Sequence, residues 1–237
     1  MIKVPISSQP DETTCGPTCL HSIYRYYNDQ VDLDSVIREV LQLEEGGTFG
    51  SWLAVDALKR GYKARIYTYN LQVFDPSWFE LNRNELRQRL KAQMAVKDDP
   101  KLHAATEGYL TFLDLGGEIR MEDLRSGILR DYLKKGHPII AGLSATFLYR
   151  SMREFGPNQD YDDIRGEPAG HFVVLYGYDR ETKLVSVADP LMTNPLGKDQ
   201  FYDISINRVV NAILLGIVTY DAHLIIITPG SQNGASS

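Results

Sequence analysis

Cysteine is scarce in this chain of 237 residues, with only two, at positions 15 and 19. Four apart on what reads as one helix, they are badly placed to bridge each other, which excludes a disulfide scaffold and fits a reducing compartment. Long apolar runs are missing too. No stretch approaches the roughly 20 residues of a membrane span, and Met1-Ile2-Lys3-Val4-Pro5 lacks the apolar core and small-residue cleavage site of a signal peptide. There is no block of Lys or Arg: 25 basic residues are spread against 31 acidic ones, a net charge of −6. Neither nucleic acid nor a membrane is therefore expected as a partner. No internal repeat is visible. These absences leave a cytoplasmic globular chain, 43% hydrophobic and 24% charged, long enough for one large core. A single domain over residues 1–229 is expected, with the small polar residues 230–237 as a flexible tail.

The stretch that organises the rest is Gln9-Pro10-Asp11-Glu12-Thr13-Thr14-Cys15-Gly16-Pro17-Thr18-Cys19-Leu20. Gly16 permits close backbone approach and Pro17 suits the first turn of a helix, where its missing N–H is not needed. Leu20, Ile23, Tyr24 and Tyr27 recur at three- and four-residue spacing, so Cys15 is expected at the N-terminus of an amphipathic helix. Unpaired N–H groups and the positive end of the helix dipole favour thiolate over thiol there, and the thiolate is the nucleophile. Cys19, one turn on, is expected in the core. A metal site from Cys15, Cys19 and His21 would lack the second ligand pair that zinc sites show, so no metal and no cofactor is expected.

Further helices are expected after Asp32 or Asp34, from about Ser51 to Gly61, over 82–96 and 101–114 as a helical hairpin, from Glu122-Asp123 to Gly136, and over 205–215. Strands are expected at Ala64–Tyr69, Glu118–Met121, Pro138–Leu143, His171–Tyr178, Lys183–Ala188 and Leu224–Thr228, with a long polar loop from Arg153 to Gly170. Helices crowd the first half and apolar strands the second, which suits an α+β fold with an antiparallel sheet.

A lone cysteine or histidine is usually structural; it is the combination here that points to chemistry. Sulfur attack on a carbonyl needs a base, a group to orient that base, and donors for the developing oxyanion. Cys15, His171, Asp189 and Gln9 supply these four roles in principle. If Lys183 pairs with Gly177 across the hairpin, partner numbers sum to 360 and His171 falls directly opposite Asp189, on the same face of the sheet. That requires a loop of odd length unless a bulge restores the face.

The segments Gln9…Cys15-Gly16-Pro17-Thr18-Cys19-Leu20, Gly136-His137-Pro138-Ile139-Ile140 and Gly170-His171-Phe172-Val173-Val174-Leu175-Tyr176-Gly177-Tyr178…Asp189-Pro190 resemble the papain-like cysteine peptidases of the bacteriocin-processing, double-glycine leader family and its stand-alone relatives. The resemblance implies a papain-like α+β fold with the catalytic helix packed on an antiparallel sheet. It implies Cys15 as nucleophile, His171 as base, Asp189 as orienting acid and Gln9 as oxyanion donor. It also makes residues of about 80–116 a helical insertion that could shape the groove. Leader peptidases usually carry Asp before the cysteine, where this chain has Thr14, so double-glycine specificity does not carry over. The expected function is a cysteine peptidase acting on a peptide or flexible protein segment through an acyl-enzyme. An amidase or acyl transferase on the same fold and a non-catalytic peptide-binding module are the alternatives.

Overall fold

The computed structural model describes residues 4–44 and 46–230, so most of the expected tail lies outside the described residues. Helix α1 (Cys15–Tyr26) begins at the cysteine itself. α2 (Leu33–Glu39) is capped by Asp32, whose carboxylate accepts from the Ser35 N–H at 2.9 Å. α3 (Gly50–Lys59) leads into β1 (Lys63–Thr68). α4 (Arg83–Val96) opens on a capping box in which Asn82 and Glu85 each accept from the other's backbone N–H. α5 (Pro100–Asp114) starts on a proline behind the Asp99 cap. The expected helical hairpin is thus formed, and α5 packs on α3 as well as on α4.

The second half supplies β2 (Glu118–Arg120), α6 (Ser126–Lys134), β3 (Ile139–Ser144), α7 (Ala145–Tyr149), β4 (Glu154–Phe155), β5 (Asp160–Tyr161), β6 (Gly170–Tyr178), β7 (Leu184–Ala188), β8 (Phe201–Ser205), α8 (Ile206–Leu215) and β9 (His223–Thr228). Seven strands form one sheet in the order β2-β1-β9-β3-β6-β7-β8. Every pair in it is antiparallel except β1 with β2. One face carries Ile66, Ile140, Phe172, Val174 and Ile225 against α1, α3, α4 and α5. The other carries Tyr67, Ala141, Val173, Leu175 and Val187 against α6, α7 and α8. Burial on both faces is why β3, β6 and β9 read as continuous apolar runs rather than alternating ones. α1 lies across β6, and Tyr24 ties it to α3 by donating to Asp56 Oδ1 at 2.5 Å, an oxygen that also accepts from Arg60 Nε at 3.0 Å. The expected fold class therefore holds: an α+β chain with the Cys15 helix packed on a sheet dominated by antiparallel pairs.

Three local expectations need correcting. α6 starts at Ser126 and not at Glu122-Asp123, because those acids are held in ion pairs outside the helix, Glu122 by Arg120 and Asp123 by Arg125. The edge strand β8 was not anticipated; its alternation of exposed Phe201, Asp203 and Ser205 with buried Tyr202 and Ile204 is short enough to be lost between the turns around it. The long loop from 153 to 170 contains the two-residue pairing of β4 with β5.

The β6–β7 register differs as well. Val174 pairs with Ala188 and Leu175 with Val187, sums of 362, and past a bulge at Tyr176 Gly177 pairs with Ser186. Lys183, expected to pair with Gly177, instead sits in the turn with a left-handed φ of 57°. There the Asp179 carboxylate accepts from the Glu181 N–H at 2.7 Å, and the Asp179 N–H donates to the Leu184 carbonyl at 2.9 Å. Continued past Ala188, this register sets Asp189 across from Val173, so His171 is its diagonal neighbour on the same face. Diagonal partners remain within reach of long side chains, and the extra residue at Tyr176 offsets the even-length loop, as a bulge can.

Candidate active site

Asp11 organises the approach to Cys15. Its Oδ1 accepts from the Thr13 N–H and the Thr13 hydroxyl, each at 2.8 Å, and its carbonyl accepts from the Thr14 hydroxyl at 3.2 Å. The Thr14 carbonyl then receives the Thr18 N–H at 3.0 Å and the Thr18 hydroxyl at 2.8 Å, closing the first turn of α1. The Cys15 N–H is among the first four of the helix, which have no partner within it. Gly16 matters for fit, since a Cβ there would lie 2.7 Å from Thr48 Cγ2. Cys15 is half-buried and Cys19 fully buried; the Cys19 thiol donates to the Phe172 carbonyl at 3.2 Å.

His171 stands near the start of β6, 7% exposed, and hydrogen-bonds Asp189 Oδ1 through Nε2 at 2.9 Å. The Cys15 sulfur is near enough to act on its charge, and Nδ1 is the ring nitrogen that Asp189 leaves free. Asp189 follows β7 and is fully buried, with all its acceptor capacity used. Oδ1 takes the His171 ring and the Leu191 N–H at 2.9 Å, and Oδ2 takes the hydroxyls of Tyr149 at 2.7 Å and Tyr202 at 2.8 Å.

Burial alone would favour neutral imidazole, yet the Asp189 carboxylate and the Cys15 sulfur outweigh it and hold the His171 pKa well above the ordinary value. Asp189 is the converse. Burial would raise its pKa, but His171, the Tyr149 hydroxyl and the Leu191 N–H keep it below the usual carboxylate range. Burial beside that carboxylate pushes both phenols upward, so they remain neutral donors.

Cys15, His171 and Asp189 are thus brought together. Gln9 is placed differently. Its backbone N–H donates to the Pro190 carbonyl at 3.0 Å, while its side-chain amide donates to the Asp11 carbonyl at 2.9 Å. Gln200 fastens the N-terminal arm to the same turn by donating to the carbonyls of Ser7 and Asp189 at 3.0 and 3.1 Å. Tyr149, Tyr202 and Asp221 were not anticipated. Tyr202 is an inward position of β8, opposite Val187, and escaped notice with that strand. Cys15 and His171 open onto a cleft of about 220 Å³ whose walls include Glu12, Thr48, Lys101, Phe172 and Asp221. Among the described residues no three His, Cys, Asp or Glu side chains cluster so as to hold a metal ion.

The site thus sets a cysteine at a helix N-terminus in one cleft with a histidine that is bonded to a buried aspartate. The sequence pattern described as the Peptidase_C39 like family matches residues 1–97 and 118–212. The chain belongs to that family. The Peptidase_C39 like match leaves out 98–117, which hold α5, and everything after 212, including β9. Among solved structures, a C39-like peptidase from Bacillus anthracis is similar over 98% of each chain at 16% identity and a TM-score of 0.54, a likeness of fold. The peptidase domain of Streptococcus ComA, a bifunctional ABC transporter involved in a quorum-sensing pathway, aligns over 96% of this chain and 99% of its own, at 14% identity and a TM-score of 0.47. A double glycine motif protease from an AMS/PCAT transporter, solved in complex with the leader peptide, aligns over 96% and 93%, at 16% identity and a TM-score of 0.46. The comparison with curated proteins returns no match. No helix among the described residues is long and apolar enough to cross a membrane.

Proposed function

We propose that this member of the family is a cysteine peptidase that hydrolyses a peptide or amide bond through an acyl-enzyme, in one catalytic domain over residues 1–229 and in the cytoplasm. The observation that carries the reading is His171, hydrogen-bonded to Asp189 at 2.9 Å and lining one cleft with Cys15. His171 takes the thiol proton and Cys15 Sγ attacks the substrate carbonyl carbon. The tetrahedral oxyanion is received by the Cys15 backbone N–H and by Gln9, whose amide has a second N–H beyond the one spent on Asp11. The imidazolium gives its proton to the departing amine as the C–N bond breaks, leaving a thioester. Water, deprotonated by His171, attacks that thioester and releases the acid and the cysteine. Asp189 supports the cycle by fixing the ring and favouring its charged form, the form that exists after the first proton transfer. The segment of about 80–116 shapes the groove, since Lys101 of α5 lines the cleft.

The substrate class is a peptide or a flexible segment of a protein. The test is digestion of a defined peptide mixture by the wild-type protein and by Cys15→Ala, with products read by mass spectrometry in the presence and absence of an added amine. Cleavage that depends on Cys15 and yields free carboxylates is expected. Products joined to the amine would make the enzyme an acyl transferase, and identical mixtures from both proteins would overturn the reading.

A further inference from the structure

Asp221 is a buried acid in the cleft for which the catalytic steps have no use. It sits in the turn between α8 and β9, 7% exposed, and lines the same cleft as Cys15 and His171. The backbone holds it firmly: its N–H donates to the Gly216 carbonyl at 2.9 Å, and its Oδ2 accepts the Thr219 hydroxyl at 2.6 Å. Gly170, the residue before His171, has to lack a side chain, because a Cβ there would run into Asp221 Oδ2 and Thr219 Oγ1. The carboxyl group is thereby packed against the strand that presents the base. Among the described residues Oδ1 receives no hydrogen bond and no cationic nitrogen forms an ion pair with either oxygen.

A buried carboxylate with an unused acceptor and no counter-ion is costly. Burial raises the Asp221 pKa to about 7 against the opposing pulls of the Thr219 hydroxyl and the charges of Lys101 and His171. Lys101 lines the same cleft but rests its ammonium 5.0 Å from the Tyr220 ring centroid and makes no ion pair there. Glu12 adds a second acid to the cleft wall. Asp221 lies beyond residue 212, outside the match to the family pattern.

We propose that Asp221 is a specificity-determining residue, whose carboxylate receives a cationic group of the substrate peptide beside the scissile bond. The proposal rests on the peptidase reading above. The cation is the ammonium or guanidinium of a lysine or arginine side chain, or the free α-amino group of the peptide. Either one supplies the missing counter-charge and the missing donor to Oδ1.

The test uses an equimolar set of peptides that differ at single positions on either side of the scissile bond by arginine, lysine, citrulline or norleucine, each with a free and an acetylated N-terminus. With the wild-type protein, cationic peptides should be cut roughly tenfold or more faster than their neutral counterparts, the scale of one charge-assisted hydrogen bond. Asp221→Asn should erase that preference while still cutting the neutral peptides. A preference that follows the side chain and one that follows the free N-terminus both support the proposal and identify the source of the cation. Equal cleavage of arginine and citrulline peptides, with acetylation also without effect, overturns it while leaving the peptidase reading intact, and this comparison needs no variant to fold. If no peptide is cut, the peptidase reading fails. Calorimetric titration of the same peptides into Cys15→Ala, with and without Asp221→Asn, then decides the proposal: tighter cation binding that depends on Asp221 supports it and equal binding refutes it.

Discussion

Tyr202→Phe isolates what holds the orienting carboxylate in place. The substitution keeps the aromatic ring in the core between the sheet and α6–α8 and removes only the hydroxyl that donates to Asp189 Oδ2 at 2.8 Å. Asp189 is fully buried, so no water takes over the lost bond. A hydrogen bond to a charged group is worth about 1.5–3 kcal/mol, and a chain of this size loses about 2–4 °C of Tm per kcal/mol. The variant should therefore unfold about 3–12 °C below the wild type at neutral pH. Loss of a donor to the ionised carboxylate should also raise the Asp189 pKa. The sign follows from linkage. A carboxyl group with a depressed folded pKa contributes stability that is present above its unfolded value and lost as pH falls through its folded value. Raising the folded value means that this contribution fades at a higher pH in the variant. Thermal unfolding followed by circular dichroism from neutral pH down to about pH 3 should show a deficit that is largest near neutrality and shrinks on acidification. Tyr149→Phe, which removes the 2.7 Å partner, should behave alike, and the double variant should lose more than the sum because Oδ2 is then left bare. An unchanged Tm at neutral pH, or a deficit that stays constant across the range, would refute the argument.

Other consequences concern the oxyanion and the packing around the base. Gln9→Ala should lower kcat by about 10²–10³-fold with KM little changed; an unaltered kcat would remove Gln9 from that role. Gly170→Ala should destabilise the protein by about 1–3 kcal/mol in denaturant unfolding, because the new methyl group strikes Asp221 and Thr219; a variant as stable as the wild type would contradict the close approach seen there. His171→Asn should cut kcat by about 10²–10⁴-fold, measured on whichever peptide the wild-type protein cleaves. Retained turnover would move the base elsewhere.

The helices were legible where local chemistry marks their ends. Asp32, Asn82 and Asp99 each accept from backbone N–H groups at the expected starts, and Cys15 heads α1 as its neighbours Gly16 and Pro17 suggested. β3, β6 and β9 were legible because burial on both faces leaves an unbroken apolar run. The hairpin register was not, since the bulge at Tyr176 and the left-handed Lys183 depend on how β6 twists against β7 and leave no pattern in composition. Spacing nonetheless put His171 and Asp189 on one face, because the bulge restores the parity that an even loop removes. Tyr149 and Asp221 come from α7 and from the turn before β9, far apart in sequence, and only tertiary packing sets them beside Asp189 and Gly170. Gln9 was identifiable as a polar residue near the nucleophile, whereas the bond of its amide to the Asp11 carbonyl is a matter of loop geometry.

The two cysteines offer the most direct check on Cys15 as a nucleophile served by His171. Cys15 is half-buried at the head of α1 and lines one cleft with His171, whereas Cys19 is fully buried and donates to the Phe172 carbonyl. Burial, with the nearby Cys15 sulfur and Asp189, pushes the Cys19 thiol well above its ordinary pKa. Iodoacetamide at neutral pH, followed by peptide mapping, should modify Cys15 and leave Cys19 untouched in the folded protein, and His171→Ala should slow the Cys15 reaction by roughly tenfold or more. Equal rates at both cysteines, or a Cys15 rate indifferent to the loss of His171, would contradict the assignment.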